Sequence, residues 1–398
     1  MIAPTPFYSG RGTHMRIFYE ATALAERGHH VMIVTYHIGD NPDGLHPNIT
    51  IKRINRLLFW YTKRSSGPNW QKIILDLLLF FKVMRISIRK PPDVLHCHLH
   101  EGIMIGWMVK KTSLCRNSCL IGDLHGPLVA EMRAHGYLRF HPVQKFFKWI
   151  EKTIHRMPCR VFLSSPGLKP HMDEDRKTPD ATVLPDAPTL ADDKISEAMT
   201  APDYSRHTDD MPCVVYTGGF TPDKGIDTLF EVIASTIQNG LSCRWIVAGG
   251  PARLLQLPTA IEKSVTVISP LNKHQLVDIL KCADIGCEPK DGATFQGSGK
   301  LLNYMYAGLL TVCFDGPAQR FYLGEKLASV LIAKDIKQFC DILSYLIQMP
   351  PDEKAMLKNR ILQRAKQFTW EQSARQLEHC YLEQWGKERK RKSVKSAL

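Results

Sequence analysis

Two loops in this chain carry residues suited to holding a phosphate. In the first, Gln296-Gly297-Ser298-Gly299-Lys300 leads into a helix-compatible run. In the second, YTGGFTPDKGID, Gly218 and Gly219 form a turn after an apolar run, and Lys224 stands just before the next helical pattern. A glycine loop feeding a helix N-terminus exposes backbone N–H groups and the positive end of the helix dipole, which favours an anion. A lysine in such a loop neutralises charge as a phosphate leaves. Polar groups also gather at Asp123-Leu124-His125-Gly126, directly after an apolar run, where α/β sheets bind ligands. His96, His98 and His100 alternate as on one strand face, a spacing that can hold a metal. However, the strand is predicted to end near His98, and His100-Glu101-Gly102 reads as a turn, so no metal site is expected.

The elements that position these groups alternate between strand and helix. Asp284 to Asp315 reads as strand (Ile285–Cys287), glycine loop (Gly292, Gly297, Gly299), helix (Lys300–Ala307), Gly308 cap and strand (Leu309–Phe314). The opening residues read as a βαβ-like unit. Gly10 and Gly12 precede a helix whose Ile17, Ala21, Leu24 and Ala25 share a face, and Val31 to Tyr36 follows as a strand. Further strands are predicted at Ile51–Ile54, Asp93–His98, Ser118–Gly122, Val161–Ser164, Cys213–Thr217, Trp245–Ala248 and Val265–Ile268. Such alternation predicts an α/β protein with parallel sheets covered on both faces. Ala187 to Met211 shifts to Pro, Asp, Thr and Ser and reads as a linker. The expected division is therefore 1–186, a linker 187–211, a second domain 212–367, a helix 368–386 and a basic tail 387–398.

Bulk properties narrow the classes. At 398 residues the chain holds two ordinary domains, and 44% apolar with 23% charged residues is a globular composition. Eleven scattered cysteines with no CxxC argue against a disulfide framework and for a cytoplasmic location. GRGTHM has Met15 where a dinucleotide fingerprint needs its third glycine, which disfavours a nicotinamide enzyme. The apolar run Ile73–Val83 is interrupted by Asp76 and Lys82 and is too short to span a membrane. It reads as a buried or membrane-grazing helix, with burial preferred. The net charge of +13 concentrates in KERKRKSVK, Lys387 to Lys395. That tail reads as solvated and disordered, with an anionic membrane surface as a candidate partner. No aromatic residues interleave its charges, so no specific nucleic acid is expected.

In order and spacing, these motifs resemble retaining glycosyltransferases of family four (glycosyl transferases group 1). The likeness runs over nearly all of residues 1 to 386, through the N-terminal glycine loop, DVLHCHLHEG, YTGGFTPDKGID, the KLLNYMYAG segment and the closing FTWE helix. It implies the GT-B fold, two Rossmann-like domains with parallel sheets facing a central cleft. It implies transfer of a sugar from a UDP- or GDP-sugar to a lipid-linked or cell-envelope saccharide, with retention and without a metal or other cofactor. By the same resemblance, Gly10, Gly12 and Thr13 approach the donor, with Gly218, Gly219 and Lys224 on its diphosphate. Gln296, Gly297, Ser298, Gly299 and Lys300 also hold the donor, while His125, or Asp123 in another register, meets the sugar near the reacting carbon. Glu131 orients an acceptor hydroxyl, unless it is simply a solvated helix carboxylate. The sequence departs from the family at three places. Gly219 stands where an Arg is common, and the Glu-x7-Glu pair is replaced by Phe295 and Asn303, leaving Asn303 for a ribose hydroxyl and Glu288 as a substitute carboxylate. These losses motivate an alternative, a catalytically degenerate protein that partners an active transferase. The location implied is cytoplasmic, with peripheral contact at the inner face of the plasma membrane.

Overall fold

The computed structural model describes residues 1–8, 12–42, 44–61, 70–112, 115, 117–134, 137–138, 140–175, 181–191, 211–291 and 295–396. Gly10, Gly292 and most of the expected linker lie outside them. The chain forms two compact units, Met1–Asp186 together with Trp370–Leu398, and Ala187–Thr369.

The first unit is built on a parallel sheet of β1 (Ile2–Ala3), β2 (Val31–Thr35), β3 (Ile49–Arg53), β4 (Val94–His98), β5 (Cys119–Leu124), β6 (Arg160–Leu163) and β7 (Ala181–Val183). Its order is β3-β2-β1-β4-β5-β6-β7. Helices α1 (Gly12–Glu26), α2 (Trp70–Arg89), α3 (Leu99–Lys111), α4 (Leu128–Ala134) and α5 (His141–His155) connect the strands. The predicted face of α1 is buried at Ile17, Ala21, Leu24 and Ala25. Against it packs the last helix, Trp370–Ser396, with the Trp370 ring stacked on Tyr19 at 5.5 Å and Ala374 and Leu377 in the same core.

Two predicted boundaries move. β5 continues through Asp123 to Leu124 because His98 and Phe162 flank Asp123 in register, so Asp123 is a strand residue and not part of a following loop. The last helix does not stop near residue 386 to leave a disordered tail; it continues to Ser396. No Pro follows Gly386, Lys, Arg and Glu propagate helix well, and Lys387 pairs with Glu383 one turn back at 2.6 Å.

The second unit repeats the arrangement. Its strands are β8 (Cys213–Gly218), β9 (Arg244–Gly249), β10 (Val265–Ile268), β11 (Ile285–Glu288), β12 (Leu310–Phe314) and β13 (Ile332–Ala333), all parallel, in the order β10-β9-β8-β11-β12-β13. In both sheets the winding reverses between two central strands, β1 and β4 in one, β8 and β11 in the other. A doubly wound sheet binds its ligand beyond the carboxyl ends of those two strands. The second unit therefore offers Gly218 to Lys224 after β8 and Glu288 to Lys290 after β11.

The approach of β8 to β9 at this end needs bare backbone. Gly249 has φ of +147°, and a Cβ on it would lie 1.8 Å from the Gly218 carbonyl oxygen. Gly28, with φ of +89°, has nothing within 4 Å of such an atom. We expect Gly28→Ala to cost ~1 kcal/mol from backbone conformation alone, and Gly249→Ala ~3 kcal/mol or more because the strands must part. Urea unfolding of the two variants checks this, and equal losses would refute the steric argument.

Candidate functional site

In the second unit, Tyr216 on β8 sets the geometry of the loop that follows. Its hydroxyl donates to the Gly219 carbonyl at 2.7 Å, and the Lys300 ammonium lies over its ring, 4.2 Å from the centroid. Gly225, at φ +79°, brings the turn after Lys224 so close to Pro289 that a Cβ would meet the Pro289 carbonyl oxygen at 2.3 Å. Lys224 itself is partly exposed and pairs with Asp223 at 2.9 Å.

The helix Gly299–Tyr306 starts at the same end of the sheet. Ser298 caps it by accepting from the Leu301 N–H at 3.4 Å, and donates its own hydroxyl proton to Glu288 Oε1. Glu288 is 1% exposed, and its Oε2 has no hydrogen-bond partner among the described residues. The Lys300 ammonium is likewise buried and without a hydrogen-bond partner there, although the residue as a whole is only half-buried. Burial lowers its pKa to about 8; Glu288 pulls it up again, while Lys290 and Lys224 push it further down. Lys290 is 4% exposed and donates to Gln296 Oε1 at 3.2 Å. Phe295 lies in the left-handed region at φ +56°, just before Gln296. Lys224, Lys290 and Lys300 thus act on one another at a helix N-terminus, an arrangement suited to two or more negative charges.

The first unit has a different centre. Arg16 on α1 holds Asp123 in a two-pronged ion pair, Nε and Nη2 each 2.9 Å from a carboxylate oxygen, with both side chains buried. Its Nη1 donates to the Leu184 carbonyl at 2.9 Å and Asp186 at 2.8 Å, and its Nε lies 3.0 Å from Glu20. Burial opposes charge on Asp123, but Arg16 and then His125 outweigh it and hold the carboxyl well below the usual range. Burial and the neighbouring Asp123 carboxylate push the Glu20 carboxyl well above it, against the pull of Arg16. Asp123 also meets His98 Nδ1 at 3.0 Å and His125 Nε2 at 3.1 Å. With Asp123 ionised, each of those ring nitrogens carries the proton, so the carboxylate sets the His125 tautomer.

The structure brings together Gly218, Gly219, Lys224, Glu288, Gln296, Gly297, Ser298, Gly299 and Lys300 around one end of the second sheet. Asn303 is 9% exposed and tied to Thr189: its Oδ1 accepts from the Thr189 N–H at 2.9 Å, and its Nδ2 donates to the Thr189 hydroxyl at 3.0 Å. A ribose would have to compete for that amide. In the first unit, Gly12 and Thr13 open α1, His125 follows β5, and Glu131 sits half-buried on α4. Asp123 is fully buried and hydrogen-bonded to His125. The three alternating histidines do not share one site. His96 and His98 stack on β4 with centroids 4.5 Å apart, while His100, the second residue of α3, faces His155 at 3.1 Å. Sequence reasoning passed over Arg16 and Lys290. Arg16 and Glu20 are spaced i,i+4 on the buried side of α1, and Lys290 follows the end of β11 by two residues; those spacings are the signals the sequence carried.

Comparisons with known proteins agree along the chain. Residues 10–186 match the family model described as Glycosyltransferase Family 4, and residues 211–349 match Glycosyl transferases group 1. Over 139 residues the chain is 30% identical to the alpha-D-kanosaminyltransferase of Streptomyces kanamyceticus, a match spanning 32% of this chain and 36% of that protein. Sucrose-phosphate synthase from Thermosynechococcus elongatus has a similar structure, with a TM-score of 0.75 at 15% identity over 97% of this chain and 98% of that one. The catalytic domain of starch synthase IV from Arabidopsis thaliana, solved with ADP and acarbose, gives 0.72 at 12% identity over 97% and 98%. At such identities the likeness is one of fold.

The buried ammonium generates a pH prediction. Below about pH 8 Lys300 is charged and attracts a diphosphate; above it the charge is lost. A bound diphosphate stabilises the charged form, so binding above that pH takes up a proton. Calorimetry with a nucleoside diphosphate is expected to show affinity falling as pH rises through about 8, and Lys300→Met is expected to abolish the fall. A pH dependence unchanged in the variant would show that another group titrates.

Proposed function

The chain belongs to the family-four, group 1 glycosyltransferases of GT-B fold, and from that premise we propose that it transfers a sugar from a UDP- or GDP-sugar to a lipid-linked or cell-envelope saccharide, with retention of anomeric configuration. The observation that carries this reading is the convergence of Lys224, Lys290 and the unpartnered Lys300 ammonium beyond β8 and β11. A diphosphate leaving group needs this positive charge, and a purely structural partner would not.

In this reading the bond between the anomeric carbon and the β-phosphate oxygen breaks as the acceptor hydroxyl oxygen bonds to the same carbon on the same face. The hydroxyl proton passes to the departing phosphate. Lys224 and Lys300 stabilise the charge developing on that phosphate, together with N–H groups of Gly297 to Gly299. His125 meets the donor sugar near the reacting carbon, its tautomer held by Asp123. Glu131 is assigned to an acceptor hydroxyl. The donor is a substrate, and the reading needs no cofactor.

A melting-shift screen across UDP-, GDP- and ADP-sugars identifies the donor, since a ligand binding only the native state adds ~2.7 kcal/mol at a hundredfold excess over its Kd. With that donor, Lys224→Ala is expected to lower turnover by ~10²-fold or more while the fold persists, because Lys224 is a partly exposed loop side chain. Near-normal transfer by a soluble Lys224→Ala protein would overturn the assignment.

A further inference from the structure

Two helices of the first unit turn apolar side chains outward. On α2, Leu75, Leu79 and Val83 are buried, yet the opposite stripe of Ile73, Leu77 and Phe81 is also apolar and is 72%, 54% and 50% exposed. The sequence reading preferred burial for this run; the structure buries one face only. On α5, Val143, Phe146 and Trp149 form a stripe at helical spacing and are 40%, 55% and 62% exposed. α3 packs against both helices. A helix on a globular protein ordinarily presents polar residues to water, so two exposed stripes of this kind, on helices that both pack against α3, mark an interaction surface.

Charge identifies the partner. Each helix has a single acidic residue, and both are turned inward. Asp76 accepts from the Tyr36 hydroxyl at 2.5 Å, and Glu151 accepts from the Leu128 N–H at 2.6 Å. The exposed charges on these helices are all positive: Arg85 and Arg89 on α2, Lys145 and Lys148 on α5. An amphipathic helix with Phe and Trp on one side and lysines beside them suits the boundary of an anionic bilayer. The centre of a protein–protein interface is, by contrast, depleted in lysine. Among the described residues no helix is long and apolar enough to cross a membrane, so the contact is lateral.

We propose that the outward faces of α2 and α5 dock this protein on an anionic lipid surface. The sequence reading assigned such a contact to the basic end of the chain; here it is assigned to α2 and α5. The proposal does not rest on the sugar-transfer reading, because it is tested without a donor.

The test is co-sedimentation of the full chain with vesicles of phosphatidylcholine alone or mixed with phosphatidylglycerol. Binding is expected only to the mixed vesicles, and Phe146→Ser with Trp149→Ser is expected to abolish it. Lys145→Gln and Lys148→Gln should each weaken it about fivefold, while Lys390→Gln with Lys392→Gln should leave it unchanged. All the α5 positions are exposed, so an unaltered circular dichroism melt confirms the fold. Three results would each overturn the proposal: undiminished binding by the Phe146 and Trp149 variant, binding lost only in the Lys390 and Lys392 variant, or no vesicle binding together with a dimer that Phe146→Ser dissociates.

Discussion

The first unit depends on the buried pair Arg16–Asp123. Two charges removed from water are tolerated only when each is fully matched, and breaking such a pair leaves an uncompensated charge at a cost of ~3–5 kcal/mol. Here the guanidinium joins three parts of the unit: α1, the end of β5, and the segment leaving β7 at Leu184 and Asp186. Because Asp123 is held ionised, it fixes the proton on the facing nitrogens of His98 and His125. A further carboxyl, Glu20, stands beside the same cation, and burial together with Asp123 pushes its pKa well above the usual range against the pull of Arg16. One interaction thus supports the sheet edge, the helix and the ring nearest the unit's ligand end.

The second unit uses the same strand order with the opposite electrostatic character. At its switch point the matching is deliberately incomplete. Lys300 lies over an aromatic face without a hydrogen-bond partner, and Glu288 keeps one oxygen unpartnered. Unmatched buried polar atoms are expensive unless something completes them. In the first unit every arm of Arg16 is satisfied by protein, although the Glu20 oxygens and Nε2 of His96 and His98 beside it have no hydrogen-bond partner among the described residues; in the second, the unpartnered groups stand where a doubly wound sheet takes its ligand.

How much of this was legible in the sequence differs by level. Strand–helix alternation was readable because parallel strands are continuous apolar runs bounded by Gly and polar turns, so most strands fall within a residue or two of the prediction. The end of β5 was misplaced because an aspartate at the carboxyl end of a strand looks like a turn until the arginine that neutralises it, 107 residues away, is known. Periodicity reads local faces but not which partner a buried charge will find. The alternating histidines show the same limit: His96 and His98 share a strand face, but the chain turns at Leu99 into α3 and sends His100 to His155. The apolar run in α2 gave no sign of which stripe the sheet would cover, because both stripes are apolar.

The departures from the family pattern acquire a physical meaning from the same geometry. Gly219, where an arginine is common, has ordinary room for a side chain, its virtual Cβ lying 3.5 Å from Lys224 Cγ, so the backbone does not demand glycine there. The charge at this end of the sheet comes instead from across the switch point, from Lys290 after β11 and Lys300 at the helix start. A lysine ammonium is a compact point charge whose strength depends on how far it is desolvated, whereas an arginine is charged at every relevant pH and binds through a planar fork. Buried ammonium groups in place of the fork would give the proposed diphosphate site an attraction sensitive to pH near 8, where Lys300 titrates.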